Sequence, residues 1–238
     1  MRVDEGGVLG ALSGVRDPEL DEPITELGFV SDLEIEGEAV NIRLRLPTYF
    51  CAPNFAYLMV ADAREAILSV PGVRWANVIL DDHYASDEIN GVNEGQGFDG
   101  AFPGETEGPN LGELRSIFQR KSFVSRQEKL CRALLADGRT PAELVRMPVG
   151  DLPPTDEAEK YLMRRAELGV DISPGAPLIV DPDGRRVPEE AVVEHLRFAK
   201  TVRVSIEGNA ALCRGLLEMR YDGTRGVGQK EGKEEASI

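Results

Sequence analysis

The strongest pattern in the chain is an alternation. "FVSDLEIEG" and "AVNIRLRLP" exchange apolar and polar residues on either side of "EGE", which predicts an antiparallel hairpin with one buried face. Val40, Ile42, Leu44 and Leu46 share that face. The period then lengthens: Phe55, Leu58, Met59, Ala63, Ala66 and Ile67 recur at helical spacing between Asn54 and Val70, and "PG" at 71 and 72 ends the helix. "VRWANVILDD" predicts a third strand. Before the hairpin, "EGGVLGALSGV" reads as a short helix, which "DPELDEPITELG" is too rich in proline and acid to continue.

The predicted order, helix, strand, strand, helix, strand, carries a geometric consequence. A strand, helix, strand unit in one sheet makes a parallel crossover, so the ends of the second and third strands meet on one edge. The start of the antiparallel first strand, near Gly28 to Val30, joins them. Cys51, the "DPE" loop and the "DDHY" segment are therefore expected on one rim.

Further along, helices are predicted from about Ser125 to Ala136, at "TPAELVRM", and from about Thr155 to Leu168. Thr140, Pro141 and Glu143 make a good helix start. "PLIVDPDGRRVP" suggests a hairpin about "DPDG". "PEEAVVEHLRFAK" and "NAALCRGLLEMR" read as amphipathic helices separated by a strand-like "TVRVSI". The expected class is α+β: a small mixed three-stranded sheet with helices, plus a mainly helical C-terminal domain.

Composition sets the boundaries. Residues 91–110, "GVNEGQGFDGAFPGETEGPN", are crowded with Gly, Pro and acid and read as a linker. The closing "GTRGVGQKEGKEEASI" has almost no apolar content and is expected to be a disordered tail. The expected organisation is a first domain over 1–90, the linker over 91–110, a mainly helical domain over 111–222 and a tail over 223–238.

With 238 residues, 42% of them hydrophobic and no long uncharged apolar run, the chain reads as globular, with no membrane span. "MRVDEGGVLG" lacks the basic start and apolar core of a secretion signal, so the cytoplasm is the expected compartment. The formal charge of -15 argues against nucleic acid, which needs clustered Lys and Arg. The three cysteines, Cys51, Cys131 and Cys213, are too few and too scattered for a disulfide framework.

Cys51 is the leading candidate for chemistry. It stands where the amides of a helix start converge, and such a place favours a thiolate; a small buried hydrophobe is the equally weighted alternative. Asp17 and Glu19 have an ordinary role available in fixing a turn and capping amides, while their expected place on the Cys51 rim makes them candidate metal ligands. His83, beside Asp81 and Asp82, is a candidate ligand or proton acceptor, with a solvated loop histidine as the alternative. His195, Cys131 and Cys213 read as structural. No CxxC pair, phosphate loop, dinucleotide fingerprint or serine-hydrolase elbow is present in the sequence.

Over residues 7 to 85, "DPELDEPITELGFV", the hairpin, "PTYFCAPN" and the following helix resemble the iron-sulfur, or metal-sulfur, cluster assembly domain. That family includes the phenylacetate oxygenase assembly subunit and a cytosolic iron-sulfur targeting factor. Asp17, Pro18 and Glu19 match its turn, Leu27, Gly28, Phe29 and Val30 its entry to the first strand, and Cys51 its cysteine. The family has Gly before that cysteine and Pro after it, where this chain has Phe50 and Ala52. In overall layout the chain is similar to extended members associated with bacterial di-iron monooxygenases.

The resemblance implies a maturation factor or metallochaperone. Cys51 would handle iron or an iron-sulfur cluster transiently, with His83, Asp17 and Glu19 as further metal ligands, and pass it to a client such as a di-iron monooxygenase component. One reactive cysteine per chain suggests a site shared across a homodimer or with the client, and residues 111–222 suit client recognition. The alternatives are a metal-free folding or scaffold protein for an oxygenase complex, and a thiol enzyme with Cys51 as nucleophile and His83 as base.

Overall fold

The computed structural model describes residues 3–102 and 110–221. The chain divides into two units, Met1–Leu111 with Ala210–Ile238, and Gly112–Asn209. The architecture is α+β, with a mixed three-stranded sheet and a mainly helical C-terminal region.

The first unit opens with α1 (Glu5–Leu12), whose N-terminus is capped by Asp4 accepting from the Gly7 amide. The hairpin follows as β1 (Val30–Glu36) and β2 (Ala39–Arg45), then α2 (Pro53–Leu68) and β3 (Trp75–Asp81). β1 pairs antiparallel with β2, and β2 pairs parallel with β3, with Arg45 opposite Asp81 at the shared end. Val40, Ile42, Leu44 and Leu46 are all buried, as their alternation predicts, against Ala63 and Ile67 of α2 and Val8 and Leu12 of α1. Burying a side chain of this size stabilises the fold by roughly 1.5–3 kcal/mol before entropy is counted. Gly28 adopts φ 75° in the turn that brings Leu27 and Phe29 into this core, a conformation that costs glycine little.

The segment expected to be a linker carries secondary structure among its described residues 91–102. After α3 (Ser86–Asn90), it contains a 3₁₀ turn (Gly91–Glu94) and α4 (Phe98–Ala101). Composition misleads here because β3 is an edge strand whose free backbone groups need partners. Asn93 supplies them to Val78, accepting from its amide at 2.9 Å and donating to its carbonyl at 2.8 Å. Asn90 does the same for Leu80, at 2.8 and 3.2 Å. Val92, Ala101 and Phe102 then bury themselves in the first core. Residues 103–109 and the tail expected at 223–238 lie outside the described residues.

The second unit holds most of α5 (Leu111–Ala136), then α6 (Pro141–Arg146), α7 (Asp156–Glu167) and most of α8 (Val192–Arg220). α6 begins on the capping box that Thr140 and Glu143 predict. "DPDG" turns as expected, with Asp181 and Arg185 joined through their backbones at 2.9 Å. Two expectations are corrected. α5 starts at Leu111 instead of about Ser125, and "TVRVSI" is the middle of one continuous α8. Its β-branched residues suggest a strand locally, but Ala199, Arg203, Ile206 and Ala210 are buried at helical spacing, and that packing overrides a weak propensity.

The core of this unit is partly polar. Gln127, fully buried, donates to the Tyr161 hydroxyl at 2.8 Å and to the Val180 carbonyl at 2.9 Å. Tyr161 donates to the Leu178 carbonyl at 2.7 Å, and Arg165 to that of Pro177 at 2.9 Å. Glu128 and Arg203 form a buried ion pair at 2.5 Å. The final turns of α8, from Ala210, belong to the first unit, although the sequence places them in a domain of 111–222.

Candidate functional site

Cys51 ends the loop from β2 and directly precedes Ala52, the N-cap of α2. Ala52 offers no side-chain hydrogen bond to that helix start, the Asn54 side chain accepts from the Phe55 amide at 2.9 Å, and Pro53 removes one donor that would otherwise lack a partner. The thiol is half-buried, and its sulfur lies 3.3 Å from the Thr48 hydroxyl oxygen. Beside it Tyr49, Phe50 and Tyr84 form an exposed aromatic cluster. Phe50 is 77% exposed, with its ring centroid 5.0 Å from that of Tyr49 and 6.0 Å from that of Tyr84.

His83 is brought to Cys51 as the rim predicts, but at the backbone. Its Nε2 lies 2.7 Å from the Cys51 carbonyl oxygen, and its Nδ1 accepts from the Ala85 amide at 3.2 Å. Those partners assign a neutral ring with the proton on Nε2. Burial holds His83 below the usual histidine range and the Arg220 charge pushes the same way, while the bond to Cys51 opposes them. Both ring nitrogens are therefore occupied in fixing the loop. The preceding Asp82 takes φ 53°, a left-handed conformation unusual for a non-glycine residue.

Asp17 is 8% exposed. Its Oδ1 accepts from the Glu19 and Leu20 amides at 2.8 and 2.9 Å, the turn that an Asp-Pro sequence favours. Burial pushes its carboxyl up to about 6, more than those two amides can offset. The loop is closed by Asp17 donating its amide to the Glu22 carbonyl at 3.0 Å.

The sequence reading missed the end of α8. Arg214 pairs with Glu22 in the "DPE" loop. Arg220 donates to the Leu46 carbonyl at 3.0 Å and pairs with the Asp82 carboxylate at 2.6 Å. Tyr221 lies under the Arg45 guanidinium, 4.8 Å from ring centroid to cation. Cys213 packs half-buried against the first core, within electrostatic reach of Asp17, Cys51 and Glu19. Burial pushes its thiol up to about 11, with those three negative groups adding and Arg214 opposing. The available signal was the helical stripe Ala210, Cys213, Leu217 and Arg220, but nothing local says which core that stripe meets.

Residues 5–78 match the family described as iron-sulfur cluster assembly protein. An uncharacterized protein of Methanocaldococcus jannaschii is 33% identical over 90 residues, which span 37% of this chain and 92% of that protein. The chain belongs to the iron-sulfur cluster assembly protein family. An iron-sulfur cluster carrier protein of Deinococcus radiodurans is 39% identical over 67 residues, covering 28% of this chain and 19% of the carrier. The chain thus spans about a fifth of that carrier's length. No solved structure matches.

The family match contains Asp17, Glu19 and Cys51 and stops before His83 and Cys213. Among the described residues, no three histidine, cysteine, aspartate or glutamate side chains are grouped so as to hold a metal ion. None of the helices among the described residues is long and apolar enough to cross a membrane. The rim can present a thiol beside exposed aromatic surface, steadied by a neutral histidine.

Proposed function

We propose that the chain is a maturation factor that takes up iron or an iron-sulfur cluster at Cys51 and delivers it to a client metalloprotein. The observation that carries this reading is the half-buried Cys51 thiol next to the N-cap of α2, inside the stretch that matches the assembly family. Thiolate sulfur is a good ligand for iron. The Deinococcus relative's description as a carrier supports transfer as the second half of the task.

In this reading the cargo is a substrate, held and released. His83 acts through the Cys51 carbonyl and sets the loop's direction. Asp17 and Glu19, from the expected ligand set, shape the negative side of the rim. The aromatic cluster of Tyr49, Phe50 and Tyr84 surrounds the thiol with surface that a client can cover. The extended layout favours a di-iron monooxygenase component as client, and the cytoplasm as the place of transfer.

The test is anaerobic reconstitution with iron and sulfide, read by visible absorption. Wild type is expected to gain cluster bands that Cys51→Ser lacks. Equal spectra from the two proteins would remove Cys51 from the mechanism.

A further inference from the structure

We propose that the outer edge of β1 takes an extended segment of a partner protein in which apolar residues alternate with Lys or Arg, adding a further strand to the sheet. The inference concerns docking, goes beyond the reading of Cys51 and does not depend on it.

It starts from the difference between the sheet's two edges. In the order β1-β2-β3, each outer strand turns the amides and carbonyls of alternate residues away from the sheet. On β3, Asn90 and Asn93 satisfy those of Leu80 and Val78 from within the chain. β1 has no such device: among the described residues, no strand and no side chain is bonded to its outer edge.

The core face is also thinly covered along that edge. Leu33 lies opposite Ile42 and Ile35 opposite Val40, yet Ile42 and Val40 are buried while Leu33 and Ile35 are only partly so. A strand laid beside β1 would cover both with its own apolar residues while its backbone pairs with the open edge.

The other face sets the partner's charge. Asp32, Glu34 and Glu36 alternate with Leu33 and Ile35 and are exposed. Across on β2, Asn41 and Ala39 face Glu34 and Glu36 without charge, and Arg43, facing Asp32, is held by both Asp81 carboxylate oxygens at 2.7 and 2.6 Å. A second copy of β1, laid antiparallel with its apolar face on the same side, would set carboxylate opposite carboxylate, which is destabilising. Lys or Arg at alternate positions would instead meet each acid as a cross-strand pair. The acidic row thus disfavours self-pairing and selects a basic strand.

The test is amide hydrogen exchange of the full chain, followed residue by residue by NMR, with synthetic peptides at millimolar concentration as probes. An Arg-Val-Arg-Val-Arg-Val peptide is expected to slow exchange of the outward-facing β1 amides at least about fivefold and to leave the β3 amides unchanged. The same residues in block order, all Arg and then all Val, should protect far less, and an alternating Glu-Val peptide not at all. Glu34→Lys, at an exposed position, is expected to weaken the Arg-Val peptide roughly fivefold. Asp32→Lys combined with Glu34→Lys should shift the preference to the Glu-Val peptide. A variant that fails to fold loses protection throughout the sheet, which distinguishes it from one that has lost only the peptide. No β1 protection by the Arg-Val peptide on wild type, or equal protection by the block-ordered one, would overturn the proposal. Protection that arises without peptide and grows with protein concentration would assign the edge to a second copy and overturn it as well.

Discussion

Each unit contains one of the chain's two histidines and at least one of its three cysteines, and the two units use them differently. In the second unit His195 lies 2.6 Å from Gln127 Oε1, one member of a buried polar network. Cys131 lies in the same core, its thiol pushed up to about 12 mainly by burial. In the first unit His83 holds the carbonyl of the residue whose thiol is half open to solvent. Burial depresses both histidines. The contrast teaches that residue type and pKa direction do not distinguish the two units; what does is a half-buried thiol beside exposed apolar surface.

The largest expected break of this comparison is in the polar core. Arg165→Leu leaves the Pro177 carbonyl without its buried donor and takes a second donor from the Leu178 carbonyl and the Tyr161 hydroxyl, at an expected cost of about 3 kcal/mol in urea unfolding. Next comes accessibility. Native Cys131 should react with iodoacetamide at least roughly a hundredfold more slowly than Cys51, because it must wait for local opening; comparable rates would erase the distinction between the two thiols.

Asp17 gives a pH signature that the second unit should not share. Its folded value of about 6 lies above the ordinary 3.8. Its contribution to stability is therefore fully present below the ordinary value and is lost as pH rises from about 4 to about 6. Asp17→Asn keeps an acceptor for the Glu19 and Leu20 amides, so at pH 8 it should be more stable than wild type by about 1–3 kcal/mol. A pH-independent difference between the two proteins would refute this. The smallest effect separates the histidines. His83→Ala and His195→Ala should each cost about 1–2 kcal/mol, but only His83→Ala should change the alkylation rate of Cys51.

The hairpin, α2 and β3 were legible because Val40, Ile42, Leu44 and Leu46 alternate strictly and Leu58, Met59 and Ile67 do not. The meeting of His83 with Cys51 followed from topology alone. What stayed hidden depends on partners distant in sequence. Asn90 and Asn93 look like loop residues until β3 is seen as an edge strand needing their amides. "TVRVSI" looks like a strand until its buried stripe is known. Arg214 and Arg220 looked like parts of a second-domain helix, and only the tertiary structure shows them beside Glu22, Leu46 and Asp82.

The central claim is that cargo leaves through Cys51, and cluster transfer tests it most directly. Wild-type chain, loaded anaerobically and mixed with an apo iron-sulfur acceptor, should lose its visible absorption as the acceptor gains its own, while Cys51→Ser transfers nothing above free iron and sulfide. A Cys51→Ser protein that loads and transfers at the wild-type rate would contradict the account.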